Sequence, residues 1–529
     1  MESSNRRDFL KAMSAIPVAA SVLGQLGAAG NPPNIVYILA DDLGYGDVSC
    51  LNSDSKLKTT HIDALARTGR IFTDAHAGTA LCSPTRYGIL TGRYAWRSRL
   101  KSGVLWGYSR PLIPTTRLTV PALLKRNGYT TGCVGKWHLG LEWTLTDAVI
   151  PKDTPAEPGR NVDLASPIRQ GPRNLGFDYF FGIPASLDMP PYVYVENDRV
   201  TALPNRETEN PDRQEFWRKG PTGADFRHDE VLSKLTDKAI SFIDKNAKGP
   251  FFLYFPLSAP HTPILPTGEY KGRSKTNIYG DFVLQVDAVV GRVTAALKRT
   301  GIENDTIVVV TSDNGCSPNA DFETLKEYGH NPSYVFRGYK ADIFEGGHRI
   351  PFVASWPGHI PAGSASAETI CLTDLMDTCA ELTGQRLPAN AGEDSVSILP
   401  ALRGEKGTKP IREAVVHHSA DGSLSIRQGK WKLAMCPGSG GWSFPRPGQD
   451  DVSGLPPTQL YDLEADIAET RNLVKDQPEI AAGLKKLLIQ YIRNGRSTPG
   501  PVQKNEDEGN WPQISWIDEA DQPGALESH

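Results

Sequence analysis

The chain has 529 residues, 39% of them hydrophobic and 22% charged, with a formal net charge of −4. That length predicts one large domain plus a smaller one, and the composition excludes a collagen-like or broadly disordered chain. The charge balance gives no electrostatic footprint for nucleic acid as a partner, while 50 Gly and 41 Pro predict many long loops.

At the amino terminus, Asn5-Arg6-Arg7-Asp8-Phe9-Leu10-Lys11 precedes a Gly/Ala-rich apolar run from Ala12 to Gly30. The run is short, interrupted by Pro17 and built of small residues, so it reads as a twin-arginine export signal over residues 1–30 rather than a membrane span. The expectation is a product exported by the Tat machinery, periplasmic or secreted, folded and loaded with any cofactor before export. No cysteine near the cleavage region suggests a lipid anchor, and no later segment is apolar enough to span a bilayer.

Asn34–Leu39 (NIVYIL) is a buried strand by pattern, ending in Ala40-Asp41-Asp42-Leu43-Gly44. Thr60–Arg67 reads as a helix capped by Thr60, with Gly69 beyond it. Leu81–Arg93 (LCSPTRYGILTGR) opens a helix with Pro84 in its first turn and Arg86 projecting from that turn. Thr119 and Pro121 start another helix that stops near Gly128, and strand Tyr129–Val134 runs into Gly135-Lys136-Trp137-His138-Leu139-Gly140. Pro151–Asn174 is a polar, proline-rich loop; Gly176–Gly182 (GFDYFFG) is aromatic and apolar; Ala185–Pro221 is irregular. Helix Leu232–Asn246 leads to strand Phe251–Leu257 and Ser258-Ala259-Pro260-His261. Helix Asp281–Lys298 leads to strand Thr306–Thr311 and Ser312-Asp313-Asn314-Gly315.

Helices alternate with continuously apolar strands, which predicts an α/β fold: a large, mostly parallel sheet sandwiched by helices. Beyond residue 408 the texture changes to a hairpin at Ser423–Leu433, a strand at Leu460–Leu463 and an amphipathic helix at Ile480–Arg493, which predicts a smaller α+β subdomain over 409–529. The last ~35 residues either wrap the surface or lack order. The 31–408 region carries the candidate site. Four of its strands end in polar clusters, at Asp41/Asp42, Lys136/His138, His261 and Asp313/Asn314. Ligands bind beyond the carboxyl ends of strands in such sheets, so four distant clusters can share one pocket.

Asp41, Asp42, Asp313 and Asn314 offer only oxygen, which suits Ca²⁺ or, less readily, Mg²⁺; a zinc phosphatase on a similar sheet calls for a histidine where Asn314 stands. Taken singly, Asp-Asp-Leu-Gly and Asp-Asn-Gly are ordinary turn sequences. Seven cysteines show no regular spacing, and an odd count in an exported chain leaves one unpaired or altered. If Cys371 and Cys379 shared one helix they would stand about 12 Å apart, too far to pair. Cys82 could be a buried thiol, a disulfide half or a nucleophile. A helix start, Arg86 and a nearby cation favour an anion there, yet a thiolate matches a hard cation poorly, and an oxygen-bearing group fits better.

Cys82-Ser83-Pro84-Thr85-Arg86 with Leu90-Thr91-Gly92-Arg93 resembles the signature of the type I sulfatases of the alkaline phosphatase superfamily. The likeness extends through Asp41-Asp42, Gly135-Lys136-Trp137-His138, His261 before Thr262-Pro263, Ser312-Asp313-Asn314-Gly315, Arg337-Gly338-Tyr339-Lys340 with Glu345-Gly346-Gly347, and Leu460-Tyr461-Asp462-Leu463. It implies that a maturase oxidises Cys82 to formylglycine, and that one Ca²⁺ is held by Asp41, Asp42, Asp313 and Asn314 with the modified Cys82 side chain. It further implies that one oxygen of the hydrated aldehyde attacks sulfur, and that the other later gives its proton to His138 as sulfate leaves. In this scheme Lys136, Lys340 and Arg86 hold negative charge, Arg86 chiefly at the formylglycine. His261 is the acid for the leaving alcohol. Arg93 braces the helix, Glu345 supports the Lys340 segment, and Trp137 packs.

A sulfated glycan is the expected substrate. Trp96, Trp106, Tyr108, Trp143, Tyr192 and Tyr194 could stack on sugars or fill the core, and Arg97, Arg99 and Lys101 could meet anionic groups or form a solvated face. The alternatives are a formylglycine-dependent phosphodiesterase or phosphonate hydrolase, and a non-catalytic glycan-binding protein with an unmatured Cys82.

Overall fold

In the computed structural model, which describes residues 32–149, 161–405, 407–506 and 511–517, strand β1 (Asn34–Asp41) is buried along its whole length. A strand with no charged side chain from Ile35 to Ala40 needs cover on both faces. Its side chains alternate accordingly: Ile35, Tyr37 and Leu39 join one core, and Val36, Ile38 and Ala40 the other. The segment read as an export signal and residues 151–160 lie outside the described residues.

The main sheet contains ten strands. In chain order they are β1, β2 (Arg70–Phe72), β3 (Thr130–Lys136), β4 (Tyr179–Ile183), β5 (Val195–Glu196) and β6 (Arg199–Val200), then, after a separate hairpin of β7 (Pro204–Asn210) and β8 (Trp217–Gly223), β9 (Phe251–Pro260), β10 (Thr306–Ser312), β11 (Phe352–Ser355) and β12 (Ser364–Ser366). Their spatial order is β12-β2-β11-β10-β1-β9-β3-β4-β5-β6. The central run β10-β1-β9-β3-β4 is parallel throughout. Antiparallel pairs occur only toward the margins, at β10–β11, β11–β2, β4–β5 and β5–β6.

One face is covered by α1 (Thr60–Thr68), α4 (Val231–Asn246) and α5 (Ile278–Arg299), whose Ile62, Leu235 and Val286 enter the same core as Val36. The opposite face is covered by α2 (Cys82–Thr91), α3 (Val120–Arg126) and α6 (Leu375–Leu382), through Ile89, Leu124 and Met376. The Thr119 side chain accepts from the Ala122 amide, with Pro121 in the first turn, as a capped helix start requires.

A second, antiparallel sheet of β13 (Val415–His418), β14 (Leu424–Gln428), β15 (Trp431–Ala434) and β16 (Gln459–Asp462) packs against α7 (Pro478–Arg493) through Ile426, Leu433, Leu484 and Leu488. The α/β expectation with a smaller antiparallel sheet therefore holds.

Two local readings change. The cap of α1 is Thr59, not Thr60. The stretch 185–221 is not irregular throughout, because it contains the β7–β8 hairpin, whose strands alternate exposed polar side chains with few buried ones and so carry no apolar run. All seven cysteines are unpaired, and Cys371 precedes α6 instead of sharing its helix with Cys379. Beyond α7, Asn505 accepts from Arg97 Nη1 at 3.2 Å, and Trp511 joins the core under the small sheet, so the described part of the tail wraps the surface. Among the described residues no helix is long and apolar enough to cross a membrane.

Candidate active site

The five parallel strands release polar residues at their carboxyl ends, on one edge of the sheet. β1 gives Asp41 and, in a left-handed turn at φ 68°, Asp42. β10 gives Asp313 and Asn314, β3 gives Lys136 and His138, β9 gives His261, and β4 leads to Ser186. The β1 and β10 ends are locked together: the Asp42 amide donates to Asp313 Oδ1 at 3.2 Å, and the Leu43 amide donates to Ser312 Oγ at 3.0 Å.

Helix α2 brings Cys82 as its first residue, 3% exposed, after the extended Leu81. Ligand atoms of Asp41, Asp42, Cys82 and His261 all lie within 4.8 Å of one another. Lys340 arrives from the loop that follows Arg337-Gly338-Tyr339. Its amide donates to the Cys316 carbonyl at 2.9 Å, and the next amide, of Ala341, donates to Ala80 just ahead of α2 at 2.9 Å.

Every charge in this cluster is buried and paired. Lys136 Nζ sits 2.7 Å from Asp41 Oδ2, and Lys340 Nζ lies 2.6 and 2.8 Å from the two oxygens of Asp42. Arg86 donates to Asp313 Oδ2 from Nη2 at 2.6 Å and from Nε at 3.2 Å, and to the Lys136 carbonyl from Nη1 at 2.8 Å. Arg86 thus serves the carboxylate of Asp313, and its Nη2 also lies 3.6 Å from Asp41 Oδ1.

Two oxygens are left over. Asp41 Oδ1 and Asn314 Oδ1 are buried without a hydrogen-bond partner, while the Asn314 amide group donates to Asp42 Oδ1 at 2.7 Å. Each buried acceptor without a hydrogen bond costs about 1–3 kcal/mol, and both are hard oxygen donors. The donor chemistry fits Ca²⁺ better than a nitrogen- or sulfur-seeking metal.

The electrostatics agree. Burial raises the Asp41 pKa, but Lys136, His261 and Arg86 outweigh it and hold the group below the usual carboxylate range. Burial, and then the negative charge of Asp41, lift Asp313 to about 7 despite Arg86. Carboxylates this crowded gain from added positive charge.

His138 is fully buried and also in a left-handed conformation, at φ 54°. Its Nε2 donates to the Leu105 carbonyl at 2.8 Å, which leaves Nδ1 as an unpartnered acceptor. Burial, then Lys136 and Arg86, push its pKa well below the ordinary imidazole value. His261 Nδ1 donates to the Thr262 carbonyl at 2.5 Å, so Nε2 faces the cluster, 3.7 Å from Asp42 Oδ2. Burial and Lys340 lower the His261 pKa, but Asp42 and Asp41 raise it more, and the net shift is upward.

Ser186 was not singled out from the sequence. Its hydroxyl lies 3.2 Å from Lys136 Nζ and 3.3 Å from His261 Nδ1. The only signal for it was its place three residues after the end of β4, the fifth strand of the parallel run.

The aromatic and basic residues named as possible sugar contacts mostly pack. Trp96, Tyr108, Trp143, Tyr192 and Tyr194 are buried, and Trp106 alone of the six is half-exposed. Arg97 pairs with Asp394 at 2.8 Å, and the Lys101 ammonium lies 4.1 Å from the Trp511 ring centre. Arg93 bonds the Lys504 carbonyl and sits 3.3 Å from Glu393, bracing the end of α2. Trp137 packs on Phe177 and Phe180.

The family model described as Sulfatase matches residues 33–385. The chain is 34% identical over 506 residues to an N-acetylgalactosamine-6-O-sulfatase of Bacteroides thetaiotaomicron, covering 87% of this chain and 93% of that one. Human arylsulfatase A is 31% identical over 504 residues, covering 90% and 91%. A solved structure described under metabolism of multiple glycosaminoglycans by Bacteroides thetaiotaomicron superposes with a TM-score of 0.75 at 32% identity, covering 87% of this chain and 99% of that one. The ten-stranded sheet therefore has the alkaline phosphatase-like architecture of the sulfatases. The chain belongs to the sulfatase family, and it is an enzyme that hydrolyses sulfate esters.

Proposed function

We propose that this sulfatase removes sulfate from carbohydrates, using a formylglycine made from Cys82 and one Ca²⁺ held by Asp41, Asp42, Asp313, Asn314 and the matured side chain at 82. The observation that carries the reading is the pair of unpartnered oxygens, Asp41 Oδ1 and Asn314 Oδ1, inside a cluster that also gathers Cys82 and His261. Glycan specificity draws on the relatives named N-acetylgalactosamine-6-sulfatase and on a neighbour solved in complex with k-i-k-neocarrahexaose, at 25% identity and a TM-score of 0.65.

When present, formylglycine supplies a nucleophilic hydroxyl that a thiol cannot, and calcium draws charge from the sulfate oxygens. The chain's own groups do the rest. Lys136, beside Asp41, and Lys340, beside Asp42, would hold the negative charge of the sulfate oxygens. Arg86 keeps Asp313 oriented. His261, fixed through Nδ1, offers Nε2–H to the departing alcohol, and Ser186 holds Lys136 and His261 in mutual register. His138, fixed through Nε2, takes up at Nδ1 the proton released at position 82.

In this reading residues 1–30 are a twin-arginine signal, 31–408 the catalytic region and 409–529 an α+β region with its tail. A maturase and the Tat machinery are the protein's partners before export to the periplasm or beyond.

Two measurements test the proposal. Mass spectrometry of the peptide Ile71–Arg86 from native protein is expected to show the lighter aldehyde form. An intact thiol would remove the mechanism and leave a glycan-binding protein. Sulfate release is then expected from a panel of sulfated sugars headed by N-acetylgalactosamine 6-sulfate. Activity confined to aryl sulfates, or higher efficiency on matched phosphate diesters, would overturn the substrate assignment.

A further inference from the structure

The β7–β8 hairpin stands outside the main sheet, yet it delivers one side chain back to the site. Arg218, near the start of β8, forms an ion pair with Asp188 Oδ2 through Nη1, which also donates to the Asp188 carbonyl at 3.2 Å. The backbone repeats the link: the Arg218 amide donates to the Asp188 carbonyl at 3.2 Å, and the Tyr192 hydroxyl donates to the carbonyls of Asp188 at 3.1 Å and Arg218 at 2.6 Å. The guanidinium carbon lies 5.0 Å from the Trp106 ring centre and 5.2 Å from that of Phe216, so two half-exposed aromatics fix its plane.

Both anchors are tied to the catalytic cluster. Asp188 lies two residues after Ser186, the neighbour of Lys136 and His261. Trp106 directly follows Leu105, whose carbonyl orients His138 and whose amide donates to Ser83 Oγ at 3.2 Å. Burial raises the Asp188 pKa, but the charges of His261 and Arg218 lower it further, and the group is ionised beside the site.

Arg218 remains 34% exposed, and among the described residues no hydrogen bond uses its Nε or Nη2. A rigid two-donor edge therefore points away from Asp188, already neutralised by it. An arginine fork whose charge is spent suits neutral oxygens better than a second sulfate.

We infer that Arg218, clamped by Asp188 and its two aromatic neighbours, is a specificity-determining residue that binds a pair of neutral oxygens, hydroxyl or acyl, on the sugar ring that carries the sulfate. Asp188 is its positioning residue. The inference rests on the carbohydrate reading above and adds which residues recognise the sugar.

The test compares kcat/KM on N-acetylgalactosamine 6-sulfate and the other sulfated sugars of the panel with that on 4-nitrocatechol sulfate, for the wild type, R218A and R218K. The sugar-to-aryl ratio is expected to fall about 30-fold or more in R218A, the loss of two charge-assisted hydrogen bonds. R218K, which keeps the charge and disturbs packing least, is expected to fall nearly as far because it lacks the fork. D188N is expected to raise KM for the sugars more than it lowers kcat. A ratio unchanged in both Arg218 variants, with a wild type active on sugars, would overturn this inference alone. A wild type active on the aryl ester and inactive on every sulfated sugar would overturn it together with the carbohydrate reading.

Discussion

The protein buries two ionic clusters of similar charge, and they differ in what is left unpaired. At the strand ends, Asp41, Asp42 and Asp313 face Arg86, Lys136 and Lys340. Where the small sheet meets the large one, Asp74, Glu345 and Glu469 face Arg349, Arg427 and Lys432, around the three buried histidines His76, His348 and His417. In the second cluster the His348 and His417 rings stack with centres 3.7 Å apart, and His76 meets His348 at 3.1 Å between Nδ1 atoms.

Three clustered histidines suggest a metal. Lys432 Nζ, 3.1 Å from His348, and Arg427 Nη1, 3.0 Å from His76, already fill the cationic positions there. What the histidine cluster leaves without a hydrogen bond includes His417 Nε2, on a neutral ring, and Glu469 Oε1, but the Lys432 ammonium stands 2.8 Å from that carboxylate oxygen. What the strand-end cluster leaves without a hydrogen bond is His138 Nδ1, the Asn314 amide oxygen and Asp41 Oδ1, whose described cation there, Arg86 Nη2, is 3.6 Å away. A lone pair on a neutral ring is cheap to bury, and one on a carboxylate is not. The histidine cluster fastens two sheets together; the strand-end cluster presents oxygens of the kind a hard cation accepts.

The largest effect expected from this contrast is at Asp313. Asp313→Ala should abolish bound calcium, measured by elemental analysis, and lower sulfate release by roughly 10³-fold or more, since it removes a metal-binding oxygen and the anchor of Arg86 together. Unchanged calcium content would erase the distinction between the clusters.

Next comes Lys432→Met, which leaves Glu345 and Glu469 without their shared ammonium. Breaking one partner of a buried ion pair costs about 3–5 kcal/mol, so thermal denaturation should show a large drop in Tm while calcium content holds. Loss of calcium in this variant would mean that the clusters are not independent.

Acid sharpens the comparison further. Burial holds His76, His348 and His417 below the ordinary imidazole pKa of 6.5. Below that pH the unfolded chain takes up protons that the fold refuses, so stability falls as pH drops, by at most about 1.4 kcal/mol per pH unit for each histidine. Glu469 acts oppositely: burial lifts it to about 7 from an ordinary 4.5, which favours the fold as pH falls between those values. Elsewhere buried His138, His228 and His418 add to the decline while Asp313 and His261 oppose it, so Tm is predicted to fall from pH 6.5 to 5, partly relieved in His417→Gln; a flat profile in the wild type would contradict it.

The smallest change expected is Ser186→Ala. Removing one neutral hydroxyl shared by Lys136 and His261 should lower kcat by a few-fold, about 1 kcal/mol, without altering calcium content or Tm.

Most of the catalytic cluster was legible because each member sits where a continuously apolar strand stops, and an abrupt change from apolar to charged is visible in one dimension. Asp41, Lys136, His261 and Asp313 all announce themselves that way. Ser186 escaped because Pro184 and Ala185 blur the end of β4, Asp188 because it lies in the loop that follows, and Arg218 because its hairpin is polar on most positions and has no apolar face to generate a pattern. The pairing of Arg86 with Asp313 escaped for a different reason. A helix's first turn tells where a guanidinium starts, but its reach to Asp313, 227 residues away, depends on how α2 lies across the ends of β1 and β10.

By itself the sequence determined the parallel α/β architecture, the strand-end placement of the oxygen and nitrogen groups, and the helix start at Cys82, because burial on both faces and helix capping are written in neighbouring residues. Only the tertiary structure decided that Asp41 and Asn314 each keep an oxygen without a hydrogen bond, that Lys432 and Arg427 reach the histidine cluster, and that the hairpin returns Arg218 to Asp188. Those facts depend on which distant segments become neighbours. Parallel strands are joined by long crossovers whose length sets no particular partner, so such contacts exist only once the chain has folded.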